Sequence, residues 1–187
     1  MSIEINYKNK KLSKSPTNLV LFVDHNFSII SLKKHISNTE FSYISDMLKN
    51  SDLKKNLLFF KVNSKKTIFL ISIKKNLEAS DIESLGAEFH GHINYDMKND
   101  YFVNSDSVNS DFKIFLGHFL HGLKLKSYDF NIYKSKENAK TISINVIGNK
   151  NEVTTQNKLK FKAIEKGIFF ARDLVSEPPN VLNPKEY

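Results

Sequence analysis

The chain has 187 residues, 40% of them hydrophobic and 26% charged, which fits one domain with a sizeable core, and its 15 Phe and 7 Tyr exclude a disordered composition. The absence of cysteine excludes a disulfide framework, thiolate zinc sites, iron–sulfur clusters and a Cys nucleophile, and agrees with a reducing compartment. The formal net charge is +8, but Arg172 is the only arginine and the lysines scatter along the chain, which argues against nucleic acid as a partner.

Ile3, Ile5 and Tyr7 alternate with polar residues, and Asn18 to Asp24 is a continuous apolar run, so the chain opens with a half-buried and a buried strand. Ser37 and Glu40 form a capping-box pattern ahead of Phe41, Ile44 and Leu48, which predicts a short helix ending near Asn50. Leu57 to Val62 and Thr67 to Ile73 read as a hairpin around Asn63-Ser64-Lys65-Lys66. A second capping box, Ser80 with Glu83, precedes a helix carrying Ile82, Leu85, Phe89 and Ile93 on one face, and Tyr101-Phe102-Val103 reads as a short strand.

A clear amphipathic helix is expected from about Asp111 to Leu125, with Phe112, Phe115, Leu116, Phe119, Leu120 and Leu123 in one stripe. Tyr128, Phe130 and Ile132 then alternate, as do Ile142, Ile144 and Val146, predicting two more strands joined by a polar connector from Lys134 to Lys140. A long helix is expected from Val153 to Ser176, with Ile164, Ile168, Ala171 and Val175 facing the core, stopped by Pro178-Pro179. These seven strands and four helices interleave, so the fold class is α/β: a mixed sheet flanked by helices in three α/β/α layers. The segment 1–176 reads as the domain and 177–187 as the start of a linker. The longest apolar runs are strand length, and Met1 to Glu4 lacks a basic stretch followed by an apolar core, so the expected location is cytoplasmic, with no membrane partner.

Catalytic constellations are hard to find. The His pairs, His90 with His92 and His118 with His121, have no suitably spaced acidic residue; the helical period puts His118 and His121 opposite the apolar stripe, which predicts that they face solvent. No Gly-x-Ser-x-Gly elbow, Walker loop or Gly-x-Gly-x-x-Gly pattern occurs, and paired carboxylates such as Asp81 with Glu83 or Glu165 with Asp173 read as caps and solvated faces. The residues therefore assign no catalytic and no metal-ligating side chain.

The run Ala171-Arg172-Asp173-Leu174-Val175-Ser176-Glu177-Pro178-Pro179-Asn180-Val181-Leu182-Asn183-Pro184 resembles the segment joining the two domains of the leucyl aminopeptidases, the cytosol aminopeptidase family M17. Leu116 to Leu123 followed by Ser127-Tyr128-Asp129-Phe130-Asn131-Ile132-Tyr133-Lys134 is similar to a second signature, an amphipathic helix leading into a strand, and Leu85-Gly86-Ala87 sits where the family has a comparable helix. The resemblance is strongest after residue 112 and weak before residue 57. It carries over structural positions only: Tyr128, Phe130, Tyr133 and Lys134 from the strand signature, and Arg172, Asp173, Glu177, Pro178, Asn180 and Pro184 from the interdomain signature. Pro179 departs from the Ala common in the family and stiffens the linker.

The resemblance implies a macro-domain-like amino-terminal domain, non-catalytic alone, in a protein whose carboxy-terminal domain removes amino-terminal residues from peptides. It implies two divalent metals there, manganese, zinc or magnesium, polarising the scissile carbonyl and activating a bridging water. The implied partners are that missing catalytic domain, peptide substrates and a homohexamer in which this domain shapes contacts and access. The competing expectation is a stand-alone module binding a nucleotide, ADP-ribose or nucleic acid; the lack of a Gly-rich loop weighs against the first two.

Overall fold

The computed structural model describes residues 2–7, 17–94, 100–133 and 141–182. The connector at 134–140 lies outside them. Six strands form one sheet: β1 (Ser2–Tyr7), β2 (Asn18–Asp24), β3 (Leu57–Asn63), β4 (Lys66–Ile73), β5 (Tyr101–Asn104) and β6 (Thr141–Ile147), in the order β1-β6-β5-β2-β4-β3. All neighbours run parallel except β3 with β4, the expected hairpin. Four α-helices accompany them: α1 (Asn38–Lys49), α2 (Ala79–His90), α3 (Phe115–Lys126) and α4 (Thr155–Ser176).

The sheet is buried on both faces, which is why β2 reads as an unbroken apolar run. Val20 and Phe22 point into the core made with α2 and α3. Leu19, Leu21 and Val23 point into the opposite core, closed by Leu32 and Ile36 and by Phe41 and Ile44 of α1. Phe22 meets Phe115 and Phe119 edge-on at 5.4 and 5.2 Å, and Phe69 meets Phe89 at 5.4 Å, so aromatic edges and faces interlock between sheet and helices.

The first capping box forms as expected. The Glu40 backbone N–H donates to Ser37 Oγ at 3.3 Å, and the Ser37 N–H donates to Glu40 Oε2 at 2.9 Å. Lys66 ties the same carboxylate to β4 at 2.5 Å. Burial raises the Glu40 pKa, but Lys66 and Ser37 outweigh it and hold the group below the usual carboxylate range.

Several expectations are corrected. The second helix starts at Ala79, its first turn closed by Glu78 and Asp81 rather than Ser80 and Glu83: Glu78 N–H donates to Asp81 Oδ2 at 2.9 Å, while Glu83 is drawn to α3. The third helix starts at Phe115, four residues later than expected, because Ile114 sits in the left-handed region at φ 66° and breaks the helical path. Tyr128 to Tyr133 is not a strand. The Tyr128 ring packs against Phe169 of α4 at 5.2 Å, Phe130 packs on Tyr133 and Ile132 is exposed, so the alternation does not mark a sheet face.

The fourth helix buries a different face from the one expected. Ile164, Ala171 and Val175 are exposed, and only Ile168 of that quartet is partly covered. The covered side runs through Lys158, Phe161, Glu165, Ile168 and Phe169, and none of the 22 residues of α4 is fully buried.

α2 and α3 pack unusually closely. A Cβ at Gly122 would enter the Glu83 backbone, and one at Gly86 would enter the Phe119 backbone. Gly122→Ala is expected to force the helices apart and destabilise the fold by roughly 1–3 kcal/mol, an overpacking cost that chemical denaturation would read as a lower midpoint. An unchanged midpoint would refute this account of the contact.

Candidate functional site

The family-signature residues converge where α4 crosses the end of α3. Tyr128 OH donates to Asp173 Oδ1 at 2.8 Å, and Arg172 lies over the Tyr128 ring at 5.4 Å while its Nη1 donates to the Leu125 carbonyl at 2.6 Å. Leu125 lies in the last turn of α3, where carbonyls lack helical partners, so Arg172 caps it. Tyr133 OH donates to Glu177 Oε2, and Phe130 packs against Tyr133 at 5.9 Å. Pro178 contributes its carbonyl, which accepts from Val181 and Leu182 N–H at 2.9 and 3.1 Å and folds the chain into a turn. Asn180 is exposed on that turn. Lys134 and Pro184 lie outside the described residues. Seven signature residues thus form a latch holding the segment 128–133 to the end of α4, with Asn180 at its margin.

Burial first, and the Asp173 carboxylate second, push the Tyr128 phenol above its usual range; for Tyr133 the hydrogen bond to Glu177 leads. A raised phenol contributes stability below the ordinary tyrosine range and loses it as pH rises through the raised value.

A second polar knot sits beneath the middle of α4. The Nδ1–H groups of His118 and His121 both donate to Glu83 Oε1 at 3.0 Å, joining α2 to α3. The Phe161 ring of α4 meets both imidazoles at 5.0 Å, His118 edge-on and His121 at a 36° tilt, and a Cβ at Gly117 would lie 2.5 Å from that ring. This corrects the solvent-facing expectation: His121 is only 6% exposed, and eight of the twelve residues of α3 are buried, because α4 covers the side that the helical period assigns to water. Solvent loss raises Glu83, but His121 and then His118 outweigh it and hold the carboxyl below the usual range. The signal that could have revealed the knot is Glu83 itself, which falls on the α2 face next to Gly86.

The carboxyl ends of β2 and β5 mark the point where chain connections diverge to opposite sides of the sheet, the usual place for a ligand in such folds. Here the loops that leave the strands are tied to one another by the chain's own side chains. Asp106 Oδ1 accepts from the backbone N–H groups of Asn149 and Lys150 at 2.8 and 2.6 Å, and Ser107 Oγ accepts from Phe22 N–H at 3.0 Å. Gly148, at φ 108°, leaves no room: a Cβ would lie 2.5 Å from Ser105 Oγ and 2.9 Å from Asp106 Cγ. Consecutive N–H groups of this kind cradle anions elsewhere, but their anion here is a side chain of the same chain.

Probable cytosol aminopeptidases give the matching sequences. That of Rhizobium rhizogenes is 32% identical over 123 residues, covering 60% of this chain and 24% of its own length. That of Gluconobacter oxydans is 37% identical over 72 residues, covering 35% of this chain and 14% of its own. The chain is a relative of the cytosol aminopeptidases. Its fold matches the amino-terminal domain of leucine aminopeptidase: a tomato leucine aminopeptidase mutant superposes over 98% of this chain and 40% of its own at a TM-score of 0.72 and 16% identity. The cytosol aminopeptidase of Coxiella burnetii superposes over 96% of this chain and 35% of its own at 0.61 and 12% identity, and the bottromycin maturation enzyme BotP, in complex with Mn, over 92% and 34% at 0.61 and 9% identity. No family model matches the chain. The chain spans about a quarter or less of the curated relatives described, and among its described residues no three His, Asp or Glu side chains converge to hold a metal. The two implied divalent metals therefore do not fit this set of residues. Among the described residues no helix is long and apolar enough to cross a membrane.

Tyr128→Phe is expected to remove one late-titrating phenol from an ultraviolet difference titration, and an unchanged curve above the ordinary tyrosine range would rule out the bond to Asp173. Glu83→Gln is expected to cost roughly 1–3 kcal/mol at neutral pH. Because the Glu83 pKa is depressed, its contribution is present above the ordinary glutamate range and lost as pH falls through the lowered value, so the acid limb of the stability curve should flatten in Glu83→Gln. Equal acid limbs would refute the assignment.

Proposed function

We propose that this chain is the amino-terminal, non-catalytic domain of a cytosol aminopeptidase, with the segment from Glu177 onward beginning the connection to a carboxy-terminal catalytic domain. The whole protein would remove amino-terminal residues from peptides using two divalent metals, manganese or zinc, and would work in the cytoplasm as a hexamer. None of the reacting groups belongs to this chain. Its own residues hold the connecting helix: Glu83, His118 and His121 seat Phe161, while Tyr128, Arg172 and Asp173 fasten the far end.

The observation that carries this reading is the outer face of α4. Leu159 and Phe170 are each 64% exposed and Val175 is 86% exposed, so a 22-residue helix leaves large apolar side chains mostly uncovered among the described residues. Apolar surface concentrated on one helix is what a docking second domain would cover. The relatives' greater length supplies such a domain. The alternative of a nucleotide or ADP-ribose module is opposed by the Asn149 and Lys150 amides, whose anion is already the Asp106 carboxylate.

The test is the intact mass of the native polypeptide, together with manganese-dependent hydrolysis of leucine amide by that material. A mass well above 21.6 kDa with activity is expected; a native mass of 21.6 kDa without activity would overturn the reading.

A further inference from the structure

A cleft of about 360 Å³ opens between the edge strand β1 and helices α3 and α4, within the size range of small-molecule sites. Ile5, Leu120 and Phe161 supply an apolar wall, and the charged lining consists of Lys124, Lys158 and Lys162 with Glu4 and Glu165. Three ammonium groups against two carboxylates leave a net charge of +1.

The three lysines are unequally occupied. Lys124 donates to the Ile3 carbonyl and lies 4.0 Å from Glu165, so it has both a hydrogen bond and a counter-ion. Lys158 rests over the Tyr7 ring at 3.9 Å, with no carboxylate beside it among the described residues. Lys162, one turn further along the same face, makes no hydrogen bond or ion pair among the described residues. Like charges at this spacing repel each other, and an anion between them would relieve that repulsion. His121 also lines the cleft; it is 6% exposed, and its Nε2 is buried without a hydrogen-bond partner.

We propose that this cleft binds a small carboxylate with an apolar body, the charge lying between Lys158 and Lys162 and the body against Ile5, Leu120 and Phe161. The surplus of one positive charge selects a monoanion over a phosphate dianion, and the absence of an arginine fork from the lining agrees with that choice. Because the cleft is roofed by α4 and floored by β1, its ligand would fasten α4 to the sheet. The inference stands on this chain alone and does not depend on the aminopeptidase reading.

The probe is 4-methylpentanoate, titrated calorimetrically into the 187-residue chain, with neutral 4-methylpentanamide alongside. Saturable binding of the carboxylate is expected, weakened at least tenfold in the double variant K158M/K162M and unchanged in K54M/K55M, which removes the same charge from exposed positions elsewhere. Methionine keeps the apolar stems and helix propensity, and far-ultraviolet circular dichroism checks that both variants fold. No saturable binding to the unmodified chain would overturn the proposal. So would equal affinity in folded K158M/K162M, equal loss in K54M/K55M, or equal binding of the amide.

Discussion

A Cβ at Gly122 would collide with the Glu83 backbone and one at Gly86 with that of Phe119, so α2 and α3 can approach this closely only because both positions are glycine. That approach brings Glu83 within reach of two imidazoles on the neighbouring helix. The imidazoles form the surface on which Phe161 lies, and Phe161 sets where α4 crosses. The position of α4 is thus inherited, step by step, from two missing side chains. A change of one methyl group at either glycine acts on α4 without touching it.

The two ends of α4 are held by different chemistry. Its first half rests on aromatic ring contacts over a half-buried carboxylate, and its second half on hydrogen bonds from Tyr128 and Tyr133 to Asp173 and Glu177. Neither end is held by the large-scale apolar burial that fixes β2 or α3. The inner face of α4 is thus polar enough to be positioned, while Leu159, Phe170 and Val175 are left exposed.

The elements that were legible in the sequence are those whose pattern comes from local chemistry or two-sided burial. The bounds of β2 follow from an unbroken apolar run, α1 from the reciprocal Ser37 and Glu40 pattern, and the β3–β4 hairpin from two apolar runs around an Asn turn. The misread elements share one cause. His118 and His121 are polar by period but covered by α4, Tyr128 turns to Phe169 of α4, and α4 buries one stripe while leaving Leu159, Ile164, Phe170 and Val175 exposed. A period shows how many faces are apolar and not which neighbour each one meets. The signature residues were named from resemblance, and their purpose as a latch emerges only when Tyr128 reaches Asp173 across 45 positions of sequence.

The Asp106 carboxylate has a consequence of its own. It lies 43 and 44 positions in sequence from the Asn149 and Lys150 amides it accepts from, so it ties the loop after β5 to the loop after β6. Both loops leave strands that are paired to each other, so the carboxylate is already in place and a free anion seeking those amides would first have to displace it.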